Sequence, residues 1–171
     1  LANVNRYVEG EKSIVLETVK GGVTVELGDL MFHNVTDGLR NNGGSTADYS
    51  AYPFEYLRVS GASLELNKEA AQSRFLGVAM NDKDGITGSA DMRIAIATAG
   101  RFNFDLKPGS TVYAGNMFGA SGTTSASNLY NQKVMKTEDT SKALGRFAEH
   151  KIHALNADVW IMTKYSTGVI S

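Results

Sequence analysis

The stretch "ADMRIAIATAGRFNFDL", residues 90–106, constrains the fold more than any other. Met92, Ile94, Ile96 and Thr98 share one parity, and Arg93, Ala95 and Ala97 the other. After Gly100 the apolar set restarts at Phe102, Phe104 and Leu106. A period of two belongs to a β-strand with one face on a core; a helix repeats its apolar positions every three to four residues. Glycines separate many other short apolar segments, 18 glycines against only 2 prolines, which marks an all-β protein.

The other segments extend this reading. "KSIVLETVK" and "VTVELGDLMFHNV" flank Gly21-Gly22. Both glycines can take positive φ, so an N-terminal hairpin is expected to turn there. Residues 36–50, "TDGLRNNGGSTADYS", read as a long polar loop. "YPFEYLRVSGASLELN" reads as a strand pair, and "RFLGVAM" as a core strand in which Gly77 marks a bulge or a close backbone approach. It runs into "NDKDG", a tight turn expected to leave Asp82, Lys83 and Asp84 in water. "KPGSTVYAG" reads as a Pro-Gly turn and a strand, and "NMFGASGTTSASNLYN" as a loop. "KALGRFAEHKIHALNADVWIMTKYS" gives two strands about a turn near Asn156. Good helix formers cluster only in residues 65–73. The expected fold is a compact β-barrel of about nine or ten strands, with long polar loops and at most one short helix. Residues 1–12 are expected as an N-terminal arm, and 13–171 as a single barrel-like domain that includes the hairpin.

Composition removes several functions. A chain of 171 residues buries close to 70% of its unfolded surface and needs no metal or disulfide to fold. It has no cysteine, which excludes disulfides, thiolate metal sites and a cysteine nucleophile. A net charge of -1 supplies no field that draws nucleic acid or an anionic membrane. The first twenty residues hold three acidic groups and no long apolar run, so no secretory signal is read there. No apolar stretch approaches the roughly 18 residues of a membrane span. No Gly-x-Ser-x-Gly elbow, phosphate-binding loop or dinucleotide fingerprint occurs.

Three patterns could carry chemistry. Asp82, Asp84 and Gly85 match the opening of a calcium loop, but the twelfth position, where a bidentate glutamate belongs, is Arg93. His150 and His153 could share a helix face and bind zinc. On a strand a spacing of three puts them on opposite faces, and a third ligand would have to come from His33 or a distant carboxylate. Tyr49, Tyr52, Phe54 and Tyr56 cluster around Pro53. A core or subunit-interface role is favoured over a sugar platform, because interfaces favour tyrosine. Nucleic acid is disfavoured, since Arg58 is the nearest basic residue. No metal or other cofactor is expected.

From residue 74 onward the order of segments "FLGVAMNDKD", "IAIATAGRFNFDLKPGSTVYAG" and "LGRFAEHKIHALNADVWIM" resembles the capsid decoration (cementing) proteins of tailed bacteriophages. The resemblance covers roughly residues 74 to 165 and rests on glycine spacing and apolar alternation. It implies a β-barrel of the tulip type, displayed as a homotrimer on the outer capsid surface of the virion and made in the host cytoplasm. The implied partner is the major capsid protein, whose neighbouring capsomers it bridges, with no active site, nucleic acid or membrane involved. On this reading Asn5, Arg6 and Tyr7 belong to an arm that orders on the shell, and Tyr49, Tyr52 and Phe54 to a protein interface. The rival reading is a carbohydrate- or receptor-binding β-module on a particle surface.

Overall fold

The computed structural model describes residues 7–9, 13–34, 50–59, 63–123 and 127–163. The alternating stretch forms β6 (Met92–Ala97) and β7 (Ala99–Val112) with a break at Thr98. Ile94, Ile96, Phe102, Phe104 and Leu106 are all buried, as their parity requires. The break carries the chain from one sheet into another. β6 lies in a five-stranded antiparallel sheet, flanked by β2 (Ile14–Val19) and β5 (Phe75–Ala79), and continued by β3 (Leu30–His33) and β4 (Ala51–Pro53).

β7 starts a closed five-stranded β-barrel. Its order is β7, β11 (Lys151–Met162), β10 (Ala143–Phe147), β8 (Met117–Gly122) and β9 (Leu129–Lys136). A parallel pairing of Asp105 with Lys133 returns the ring to β7. Phe102, Phe104, Phe118, Phe147, Val159 and Ile161 are buried, so side chains fill the barrel. Closure leaves these strands few open backbone edges. The protein is thus all-β in architecture, with one α-helix among the described residues.

The N-terminal segment is built in. β1 (Tyr7–Glu9) pairs antiparallel with β7, Tyr7 opposite Phe102 and Glu9 opposite Arg101. β2 continues along β6, from Ile14 opposite Ala97 to Val19 opposite Met92. The Thr98 N–H donates to the Ser13 carbonyl at 2.7 Å across the junction. Tyr7, expected on a free arm, therefore lies in the barrel sheet; Asn5 and Arg6 lie outside the described residues.

Four local expectations are corrected. Gly21-Gly22 does form a turn, with Gly22 at φ 77° and Val23 N–H on the Lys20 carbonyl, but no hairpin follows. Val15 and Val19 share a face with Ile94 and Ile96, so β2 takes β6 as its partner. Pro108-Gly109 lies inside β7, where the five steps from Asp105 to Ser110 face two steps on β11. Proline is tolerated at such a bulge because no ladder hydrogen bond is asked of it. The small-residue stretch after Asn116 makes β8 and β9 rather than a loop. The final turn falls at residues 148–150, not at Asn156, which is paired with Asp105.

The helix expected at 65–73 is α1 (Leu64–Arg74). Ser63 caps it by accepting the Leu66 N–H on its hydroxyl. Its one fully buried polar side chain, Asn67, accepts the Val59 N–H at 3.0 Å and donates to the Ser127 carbonyl at 2.6 Å. These bonds fix the helix against two separate loops and satisfy groups that water cannot reach.

Candidate binding surface

The sequence-derived candidates are dispersed. Tyr52 and Phe54, expected at a protein interface, are 6% and 0% exposed and stack in the core with Phe32 and Phe75. Burial of these rings among apolar neighbours removes them from any interface and from a tyrosine platform for sugar. Tyr49 lies outside the described residues. The "NDKDG" turn is stitched to residues 23–27. Val25 and Lys83 exchange both backbone hydrogen bonds, and Asp82 accepts the Leu27 N–H. Lys83, expected in water, is buried; its ammonium donates to the carbonyls of Val23 and Asp84 at 3.0 and 3.4 Å. Carbonyl acceptors satisfy the charge at the end of an aliphatic stem packed inside. Asp82 and Asp84 remain exposed.

His150 and His153 are both exposed. The His150 ring packs on Tyr113 at 4.4 Å, and His153 sits at φ 51° in the β11 irregularity between Lys151 and Ala154, opposite Val112 to Ser110. Among the described residues no three or more histidine or carboxylate groups come together in a way that could hold a metal.

Two charged groupings are structural ties. Lys142 meets Asp139 and Glu65, each at 2.9 Å, and Lys68 meets Glu65 at 2.9 Å. The network fastens α1 to the short 3-10 turn Thr140–Lys142 ahead of β10. Hydrogen bonds from Ser141 and Lys142 pull the Asp139 carboxyl down to about 2. The second grouping centres on Asp29, which is 2% exposed where the open sheet meets β9. Its carboxylate accepts the Glu26 N–H at 2.9 Å and the Gln132 amide at 2.8 Å. Burial nevertheless outweighs these bonds and raises its pKa to about 6, with Glu26 and Glu55 adding repulsion.

An acid that holds its proton more tightly folded than unfolded stabilises the fold most at low pH. That contribution is lost as pH rises from about 4 through 6. Wild-type stability in urea, compared with that of Asp29→Asn, is therefore expected to fall by up to about 3 kcal/mol between pH 4 and 7. Parallel pH profiles for the two proteins would remove this assignment.

A groove lies on the outside of the barrel. Across four strands, Met117 pairs with Arg146, Arg146 with Trp160, and Trp160 with Arg101. Paired residues on an antiparallel sheet share a face, so these form one outward row. The adjacent row, with Gly145 between Phe118 and Ile161, faces the core. Along Met117, Arg146 and Trp160 runs a groove of about 780 Å³, with Phe75 and Leu144 in its walls and Gln72 on its rim. Trp160 is 42% exposed. The Arg146 guanidinium is held by one Nη1–H bond to the Gly115 carbonyl at 2.7 Å.

Sequence reasoning missed this groove, although one signal was present. In "NADVWIM" the buried Ala157, Val159 and Ile161 alternate with Asp158 and Trp160, which puts the chain's one tryptophan outside. Its neighbours come from β8, β10 and α1, whose approach no local pattern encodes.

No protein-family model matches this chain, and no curated protein matches it in sequence.

Proposed function

We propose that this protein is a capsid decoration protein of a tailed bacteriophage. It binds the outside of an icosahedral shell and braces neighbouring capsomers, acting through shape and multiplicity without chemical turnover. The observation that carries the reading is where the resemblance falls. Residues 74 to 165 supply every strand of the closed barrel, from β7 to β11, together with β5 and β6. The alternation that carries the resemblance is therefore the same feature of the sequence that builds the barrel.

A ligand that binds only the assembled lattice stabilises that lattice by mass action. A homotrimer multiplies modest contacts at each site into strong attachment. β1 pairs within the barrel sheet and β2 within the open sheet, so the N-terminal segment adds a strand to each.

The test is light scattering followed by cosedimentation with expanded, genome-free shells of the encoding phage. The expected results are a mass three times that of the 18.4 kDa chain, and saturable binding to expanded shells but not to free capsid subunits. A monomer that stays in the supernatant overturns the proposal.

A further inference from the structure

We infer that the groove beside Trp160 docks a short apolar segment bearing carboxylates, supplied by the shell protein; this rests on the cementing role proposed above. The groove walls come from Phe75, Met117, Leu144 and the indole of Trp160. Among the described residues Arg146 is the only charged one lining it. Among the described residues no carboxylate lies within ion-pair distance of Arg146, whose recorded partner is the Gly115 carbonyl. That bond fixes the guanidinium and leaves further N–H donors for an incoming group. A held guanidinium presents a planar fork that fits a carboxylate through two parallel hydrogen bonds.

Charge complementarity therefore selects an anionic occupant, and the walls select an apolar one. Trp and Arg in a partly desolvated recess are the residue types that dominate protein–protein binding energy. The volume, about 780 Å³, suits a few side chains. A cationic segment would have to place its charge against Arg146.

Trp160 is the single tryptophan of the chain, so tryptophan emission reports on the groove directly. The full chain is titrated with acetyl-Leu-Phe-Asp-Leu-Glu-amide and, separately, with its counterpart carrying lysine at both acidic positions. The acidic peptide is expected to shift the emission to the blue and saturate, while the lysine peptide leaves it unchanged. Arg146→Gln is expected to weaken the acidic peptide roughly tenfold. Trp160→Ala, followed by polarisation of a fluorescein-labelled acidic peptide, is expected to abolish binding. Circular dichroism of each variant checks that the fold is retained. Equal binding of both peptides, or no response up to about 1 mM, overturns the inference.

Shell cosedimentation separates this inference from the reading beneath it. If wild type binds shells and both variants bind as well, the groove is not the docking site and the cementing role stands. If wild type does not bind shells, the cementing role fails, and the shell protein is withdrawn as the source of the segment.

Discussion

Gly77→Ala is expected to destabilise the fold by about 2–5 kcal/mol. Gly77 sits in β5 at φ 148°, a conformation that L side chains rarely adopt. An added Cβ would also collide with the Ala97 carbonyl oxygen on β6 and come within 3.0 Å of Ile96 Cγ2. The oxygen belongs to backbone in a buried sheet and has nowhere to move. Strained φ costs about 1–2 kcal/mol and forced overpacking about 1–3. Together, at about 2–5 kcal/mol, these remove a large share of the stability of a typical domain, about 5–15 kcal/mol. The control is Gly109→Ala, where φ is 81° but no atom lies within 4 Å of the new Cβ. It is expected to cost only about 1–2 kcal/mol from backbone strain. Urea unfolding of both variants measures the difference. A Gly77→Ala protein as stable as Gly109→Ala would refute the close approach of β5 and β6.

The second large effect lies in the barrel. Phe118 is fully buried, 6.0 Å from the Phe147 ring. It fits because position 145 is glycine: a Cβ there would lie 2.7 Å from Phe118 Cε1. Phe118→Ala would leave a void walled by other strands of a closed ring, which cannot collapse without breaking the closure. Its expected cost is about 3–5 kcal/mol. Trp160→Ala, two strands away on the outer face, is expected to cost under about 1 kcal/mol. Circular dichroism in urea gives both values. Equal midpoints for the two variants would mean that the barrel interior is not the core it is taken to be.

These two residues show how far the sequence could be read. Alternation in residues 92–106 identified the strands and the buried partners Ile94, Ile96, Phe102, Phe104 and Leu106. The bulge signal at Gly77 marked a close backbone approach before any partner strand was known. The helix was placed within one residue at each end, from residue composition alone. Failures came where the deciding contact is distant. Lys83 is polar and follows an aspartate, so it reads as surface; only the folding back of residues 23–25 supplies the carbonyls that bury it. Tyr52 and Phe54 read as core or interface because aromatic clusters serve both purposes, and the choice of core depends on Phe32 and Phe75 arriving from two other elements. The polar run that became β8 and β9 lacks strong alternation, and its strand character comes from pairing with β10 and β7.

The sequence by itself determined the all-β class, the position of the helix and the inward face of the long strands, because parity and local propensity act over neighbouring residues. The tertiary structure decided the pairing partners, the closure of the barrel and the groove beside Trp160. Those depend on which strands come to lie side by side, and hydrogen-bonded edges are chemically alike until packing of whole faces selects among them.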